Sequence, residues 1–377
     1  MKIILVGLTH PFRGGISHFT TSLYHSLSKT HDVKLISFSK LYPKILFPGK
    51  SQLDSTPSSF KALAQVKINS LNPFTWIKTI PLIKRERPDI ILFMWWNPIL
   101  AFSYFSIAKI FKLFTCGRVL FYCHNVFPHE ENIVGRLFSR LALSVADQFL
   151  CQSTQDAKMV ENLFPEKPGK KVFHPLYDIF PKNNISQAEA REELGVTSPV
   201  LLFFGHVRKY KGLETLLLSL PKILTEMKCT LVIAGEFYEP REKYDRIISE
   251  LALEDRVIIK NEYIDNEKVE IYFAASDVVV LPYISASQSG IIPLAYHFNI
   301  PVIATNVGGL QDMLDDRKTG YQVPPNDPEK LASSVLEFFR KRDSINYTNN
   351  INAFKEKISW QSLVDEIENC SPPNPKK

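Results

Sequence analysis

Residues 200–212 read Val-Leu-Leu-Phe-Phe-Gly-His-Val-Arg-Lys-Tyr-Lys-Gly, and Leu213 opens a stretch with helical spacing. An unbroken apolar run, a turn of glycine and cations, then a helix: this is a βα unit whose strand is covered on both faces. The rhythm recurs on either side. Further strands are expected at Leu231–Gly235, Val257–Asn261, Val278–Pro282 and Pro301–Thr305, and earlier at Ile3–Gly7, Val33–Phe38, Ile90–Trp95, Val119–His124 and Gln148–Ser153. Two such series imply an α/β protein of two Rossmann-like, doubly wound sheets. A chain of 377 residues also exceeds one comfortable core. The polar stretch Asp178–Ala190, with Pro181, breaks the rhythm and reads as a linker. The expected domains are therefore 1–181 and 182–350. The tail 351–377 continues as a helix over Ile351–Glu368, offering Trp360 and Leu363 as apolar contacts, and then frays.

The net charge of +6 is unevenly spread: residues 1–181 hold 22 basic and 11 acidic side chains, residues 182–377 hold 23 and 28. The first half therefore attracts anions, whether phosphorylated substrates, an anionic membrane surface or nucleic acid. No RNA- or DNA-binding motif accompanies the charge, and no nucleic-acid partner is expected. Cys116, Cys123, Cys151, Cys229 and Cys370 are scattered, with no CxxC pair or zinc spacing, which suits a reducing compartment and no bound metal. The N-terminus lacks a signal-peptide layout. Ile90–Ala108 has no charge, but Asn97-Pro98 interrupts it. A strand, a turn started by proline and an amphipathic helix fit it better than a span of ~20 residues. Localisation is expected to be cytoplasmic, with the inner membrane face as a place of peripheral attachment.

In open α/β sheets ligands bind beyond the carboxyl ends of the strands. After the first strand, Gly14-Gly15 opens a helix; backbone N–H groups there approach a phosphate, although a plain tight turn is an equal reading. Neither half contains GxGxxG, which argues against a dinucleotide oxidoreductase. After Phe204-Gly205 come His206, Arg208, Lys209 and Lys211; fixed cations there stabilise a leaving diphosphate as its charge grows. After Tyr122 come Cys123, His124, Asn125, His129 and Glu130, a polar group able to bond sugar hydroxyls, with His129 and Glu130 as an acid–base pair. After Pro282, the small residues Ser287-Gln288-Ser289-Gly290-Ile291 lead into another helix, and Gly308-Gly309 follows the next strand.

Together, Phe204-Gly205 through Lys211-Gly212, Leu231–Glu236, Ala275–Pro282 and Pro301–Gly309 resemble the family 4 (group 1) glycosyltransferases; Gly14-Gly15 and His124–Glu130 resemble the same family's N-terminal domain. The resemblance implies a GT-B fold: two Rossmann-like domains facing a cleft, with the last helix crossing back to the first. It implies a UDP- or GDP-sugar donor as co-substrate, held mainly by the second domain, and no separate cofactor. It implies transfer with retention and without an obligatory metal, to an acceptor held mainly by the first domain; the basic, amphipathic first half in turn suits a glycan or lipid-phosphate-linked acceptor used in cell-surface polysaccharide assembly. By the resemblance Lys211 would contact the diphosphate, Gly15 would offer its N–H to the phosphates and His124 would touch the donor sugar; the residues themselves add Arg208 beside Lys211, partial positive charge from the helix after Gly14, and His124, His129 and Glu130 as the group that positions sugar and acceptor.

Two departures from that pattern stand out. His206 occupies the position where the family has an arginine, and Arg208 is the expected substitute. Between Val278 and Gln311 there is no acidic residue, so Leu294 or Ala295 stands where the ribose-binding glutamate belongs. The Ser-Gln-Ser-Gly variant makes Gln288, Ser289, Gly290 and Ile291 the expected donor contacts, since an amide or hydroxyl can bond a ribose hydroxyl. A non-catalytic nucleotide-sugar binder of the same fold is the alternative that this absence raises. Phe102, Tyr104, Phe105, Phe111 and Phe114, interleaved with Lys109 and Lys112, offer either an amphipathic membrane face or packing for the sheet.

Overall fold

The computed structural model describes residues 1–12, 14–41, 61–127, 133–176, 180–197 and 199–370. The chain divides into two compact units: residues 1–173 with 360–377, and residues 174–359.

The first unit is built on a parallel sheet of seven strands: β1 (Lys2–Val6), β2 (Asp32–Lys40), β3 (Val66–Asn69), β4 (Ile90–Trp95), β5 (Arg118–Cys123), β6 (Gln148–Cys151) and β7 (Gly169–Lys171). Their order is β3-β2-β1-β4-β5-β6-β7, so the order in which strands are added reverses between β1 and β4. β4 is buried along its whole length, which explains its alternation-free sequence. The uncharged stretch that follows is a strand, a 3₁₀ turn at Pro98–Leu100 capped by Asn97, and a helix, Ala101–Phe114. Tyr104 and Phe111 of that helix are fully buried, and Phe105 and Phe114 pack against the same core. Of the aromatics expected to form an outward face, only Phe102 is exposed; the others cover the sheet. No described helix is long and apolar enough to cross a membrane.

The second unit repeats the plan with six parallel strands: β8 (Val200–Phe204), β9 (Thr230–Ala234), β10 (Val257–Lys260), β11 (Val278–Leu281), β12 (Val302–Thr305) and β13 (Gly320–Val323). The order β10-β9-β8-β11-β12-β13 places its reversal between β8 and β11. Asp277 ties the amino ends of these two strands together. Its carboxylate accepts the Val200 N–H at 2.7 Å and pairs with Arg191 at 2.6 Å and Arg342 at 2.9 Å. With three donors the half-hidden charge is compensated, the condition for such a group to be tolerated.

Each expected strand is present. Three more were not expected: β3, β7 and β13, which are short and polar enough to lack an apolar run. The boundaries also differ from expectation. The first division falls at residues 173/174 rather than 181/182. The end of the presumed linker is helical: Gln187–Leu194 is a helix started by a capping box of Ser186 and Glu189. The tail is two helices with a break at 358–359. Tyr347–Lys357 stays with the second unit, and Trp360–Asn369 belongs to the first.

That last helix returns because its apolar stripe has a place to go. Trp360, Leu363, Val364 and Ile367 are buried in the core formed by β1, β2, β4 and the Gly15–Leu27 helix. The Trp360 ring packs on Phe19, centroids 5.2 Å apart. His31 and Lys170 meet Glu368 and Glu366 at its edges. Replacing Trp360 by Ala is expected to destabilise the first unit by about 3 kcal/mol, roughly 6–12 °C in Tm by thermal unfolding, a cost of the cavity as well as of lost burial.

Candidate functional site

β8 leaves its sheet at Gly205, whose positive φ of +94° favours glycine. The next residues are stitched to the loop after β9: the Val207 N–H donates to Glu236 at 2.9 Å and the Tyr238 N–H to Val207 at 3.0 Å. A turn at Lys209–Lys211 ends at Gly212, φ +66°. A Cβ on Gly212 would lie 2.0 Å from the Pro282 carbonyl oxygen, so the β8 loop presses directly on the loop after β11. The Ile284 N–H donates to Tyr210 at 2.7 Å and locks the two loops. They meet where the strand order reverses, the position at which open α/β sheets take ligands.

Two cations share this corner. The Arg208 guanidinium lies over the Tyr238 ring, 4.7 Å from its centroid, and the His206 ring packs on the same tyrosine at 4.5 Å. Lys211 reaches back over Gly205; its Nζ would lie 3.3 Å from a Cβ there, and it lies 5.6 Å from the centroid of buried Tyr283. Burial, with the nearby Arg208 charge acting in the same direction, lowers the Lys211 pKa to about 7. Among the described residues, no carboxylate lies within ion-pair distance of either group. A desolvated ammonium beside a second cation, without a counter-ion, is a place prepared for an anion.

The loop after β11 closes the same corner. Ser289 Oγ accepts the Ile291 N–H at 3.2 Å and lies 3.3 Å from the Tyr283 hydroxyl. The Gln288 side chain accepts the Ser289 N–H at 3.1 Å and donates to the Gly309 carbonyl at 3.3 Å. Gln288 thus braces the Gly308-Gly309 turn, and Gly308, with φ +50°, lies so close to Ala286 that a Cβ would reach 1.6 Å from its carbonyl oxygen. Gly290 and Ile291 start the helix Ile291–His297. Leu294 and Ala295 are buried apolar residues of that helix, so no acceptor for a ribose diol stands at either position.

In the first unit the Gly15–Leu27 helix begins beyond Gly14, whose φ is +104°. A Cβ on Gly14 would meet nothing within 4 Å, so its backbone, rather than packing, demands glycine. His124, at the end of β5, packs edge-on against Phe19 of the same helix (4.8 Å) and against Tyr122 (5.1 Å). His124, Gly14 and Gly15 therefore share one end of the sheet. Glu130 and His129 lie outside the described residues. Tyr238 and Tyr283, which seat the two cations, were not identified from the sequence. Tyr238 stands after a strand like the other site residues, but nothing local marks its ring as a platform for a neighbouring loop. Among the described residues, no group of three His, Cys, Asp or Glu side chains is arranged to hold a metal.

Comparison with known proteins gives this geometry a context. Residues 198–341 match the family model for glycosyl transferases group 1. An uncharacterised glycosyltransferase of Methanocaldococcus jannaschii is 29% identical over 218 residues, 54% of this chain and 54% of that protein. A D-inositol 3-phosphate glycosyltransferase of Nocardioides is 27% identical over 210 residues, 51% of this chain and 46% of that protein. The chain spans about half the length of the curated relatives it matches. Among solved structures, sucrose-phosphate synthase from Thermosynechococcus elongatus superposes with a TM-score of 0.70 at 19% identity, covering 98% of this chain and 97% of that one. Anabaena HepE in complex with UDP gives 0.72 at 16% identity, covering 98% and 99%. These likenesses identify the fold as GT-B.

The lowered Lys211 pKa has a consequence for stability. Between about pH 7 and the ordinary lysine range, the unfolded chain binds a proton that the folded chain does not, so this group costs stability at and below neutral pH and the cost fades as pH rises. Lys211→Met is expected to raise Tm at pH 7, and the gain over wild type should shrink toward pH 10 in a scan of thermal unfolding against pH. Tyr238→Ala should weaken binding of a polyphosphate anion such as inorganic pyrophosphate by about threefold to tenfold through loss of the Arg208 platform, while Tyr238→Phe should retain it, as titration calorimetry would read.

Proposed function

We propose that this chain, which carries the group 1 glycosyltransferase match at residues 198–341 and the GT-B fold, transfers a sugar from a UDP- or GDP-sugar to a hydroxyl acceptor. The observation that carries this reading is the pair of uncompensated cations, Arg208 and Lys211, at the carboxyl end of β8. In such a transfer the bond from the anomeric carbon to the diphosphate oxygen breaks and a bond to the acceptor oxygen forms. Negative charge accumulates on the leaving diphosphate. A charge-stabilising pair placed there acts more strongly on the transition state than on the bound donor. The backbone N–H groups beyond Ser289 add partial positive charge, and Ser289 and Gln288 take the place of the missing carboxylate as hydrogen-bonding partners for the donor.

Retention follows from front-face attack: the acceptor hydroxyl passes its proton to the departing diphosphate oxygen, and no enzyme carboxylate bonds to the sugar. The charge that a divalent ion would supply comes from side chains. The first unit, with His124 and the N-terminal end of its Gly15 helix, is assigned the sugar and acceptor, and its excess of basic residues suits a phosphate-bearing acceptor such as a lipid-phosphate-linked glycan. Assembly of cell-surface polysaccharide, with the protein attached peripherally to the inner membrane face, is the setting we assign to it. HepE is described in complexes with UDP and with UDP-glucose, which supports trying uridine donors first.

The reading is tested by screening UDP- and GDP-sugars by thermal shift, then measuring sugar release or transfer with the donor that binds. Lys211→Ala is expected to lower turnover by about 10²–10³-fold, the scale for removing one oxyanion-stabilising group, with the wild-type rate unaffected by a chelator. Donor binding without any turnover would favour a nucleotide-sugar binder instead. An unchanged rate in Lys211→Ala would reject the role of the β8 loop.

A further inference from the structure

His124 follows β5 on the face of the sheet that the Gly15–Leu27 helix covers. Alternation along the strand points Leu120 and Tyr122 into that core and Phe121 and Cys123 into the opposite one, and His124 continues the first set. Its backbone is held by the sheet and its loop. The His124 N–H donates to the Trp95 carbonyl at 2.9 Å, and two residues on the Val126 N–H donates to buried Asp156 at 3.4 Å. The angle of the ring is a separate matter, because rotation about the side-chain bonds leaves those hydrogen bonds intact.

Two rings meet the imidazole on that face. Phe19 stands edge-on to it, centroids 4.8 Å apart and planes at 85°, and Tyr122 lies at 5.1 Å and 64°. Phe19 and Tyr122 also touch each other at 4.8 Å. Gln152, buried after β6, donates to the Tyr122 hydroxyl at 2.9 Å, so the tyrosine is fixed from within the sheet. Phe19 instead sits on the helix, one turn beyond Gly14-Gly15, and packs in turn on Trp360, centroids 5.2 Å apart and planes at 55°. Phe19, Tyr122 and Trp360 are all buried. Ring pairs at these separations favour a definite mutual orientation, and a close-packed core passes the loss of one ring to the next.

We infer that Trp360 is a positioning residue for His124 and acts through Phe19. The indole fixes the phenyl ring, and the phenyl ring, with Tyr122, fixes the angle at which the imidazole is presented at the carboxyl end of the sheet. Trp360 is the first residue of the first unit after the chain leaves the second at Ser359. The returning helix therefore does more than fill a core: it opens with the ring on which the Phe19–His124 pair rests. The consequence for catalysis rests on the transferase reading, in which His124 is assigned the sugar. A side chain that touches a reacting group contributes only while its angle and distance are kept, and a displacement of about 1 Å can cost about 10²-fold in rate.

The test compares Trp360→Leu, Trp360→Phe and Phe19→Leu with wild type, each at a temperature below its own unfolding transition. The first readout needs no substrate: long-range proton–nitrogen correlation spectra of the imidazole rings at one fixed pH, with the His124 signal assigned by its absence in His124→Asn. In Trp360→Leu and Phe19→Leu the His124 nitrogens are expected to shift or to split into more than one signal, while those of His174 and His297 in the second unit keep their positions. Trp360→Phe should restore the wild-type His124 signal. The second readout is sugar transfer or release from the nucleotide sugar that binds. Trp360→Leu should lower kcat about tenfold with KM for the donor changed by less than about twofold, because the diphosphate is assigned to the second unit, and Trp360→Phe should recover most of the rate. His124 nitrogens unmoved in both leucine variants overturn the inference. So does a movement shared by His174 and His297, which marks general loosening, a rise in KM with kcat unchanged, or a Trp360→Phe variant no better than Trp360→Leu. Absence of turnover in the wild-type chain with any UDP- or GDP-sugar would count against the transferase reading, and the nitrogen spectra would still decide the role of Trp360.

Discussion

The account depends on two positive charges held where nothing in the described chain neutralises them. Lys211 is desolvated enough that its pKa falls to about 7, and Arg208 beside it pushes in the same direction. Leaving a cation without a counter-ion lowers stability. Here that cost is borne at the carboxyl end of the central strand, beside the point where strand order reverses. Charge that is in place once the donor is bound, on Arg208 throughout and on Lys211 as it takes up a proton, needs no reorganisation when negative charge appears on a leaving group.

Backbone geometry does much of the holding. Gly205, Gly212 and Gly235 permit a corner in which three loops touch through main-chain atoms: a Cβ on Gly235 would lie 2.3 Å from the Gly205 carbonyl oxygen, and one on Gly212 would collide with Pro282. Aromatic rings do the rest. Tyr238 receives both Arg208 and His206, and Tyr283, fixed through Thr305 and Ser289, lies beneath Lys211. At the opposite end of the strands Asp277 holds β8 and β11 in register with two arginines. The corner is therefore tied at both ends of the pair of strands that carries it.

Much of this was legible in the sequence because parallel strands buried on both faces write unbroken apolar runs, and because ligand-binding loops follow them. β8 and its cationic turn are the clearest case. Strands without such runs escaped: Gly169–Lys171 is three residues with two lysines. The polar stretch before β8 looked like linker because a capped helix such as Gln187–Leu194 buries only Ala190 and carries little apolar signal. The aromatics of the Ala101–Phe114 helix were ambiguous for a related reason: composition counts Tyr104 and Phe102 alike, whereas helical phase buries one and exposes the other. Tyr238 was invisible because its partner Arg208 lies thirty residues away in sequence and the two meet only through the pairing of Val207 with Phe237.

The central claim is that the diphosphate is the missing counter-ion of Lys211. Its most direct measurement is proton uptake on binding of UDP or GDP, read by titration calorimetry at pH 8 in buffers of different ionisation enthalpy. With a pKa of about 7 the free lysine is mostly neutral at that pH, and an adjacent diphosphate restores its charge, so uptake approaching one proton per nucleotide is expected, and should disappear in Lys211→Met. Tight binding without proton uptake, identical in wild type and Lys211→Met, would contradict it.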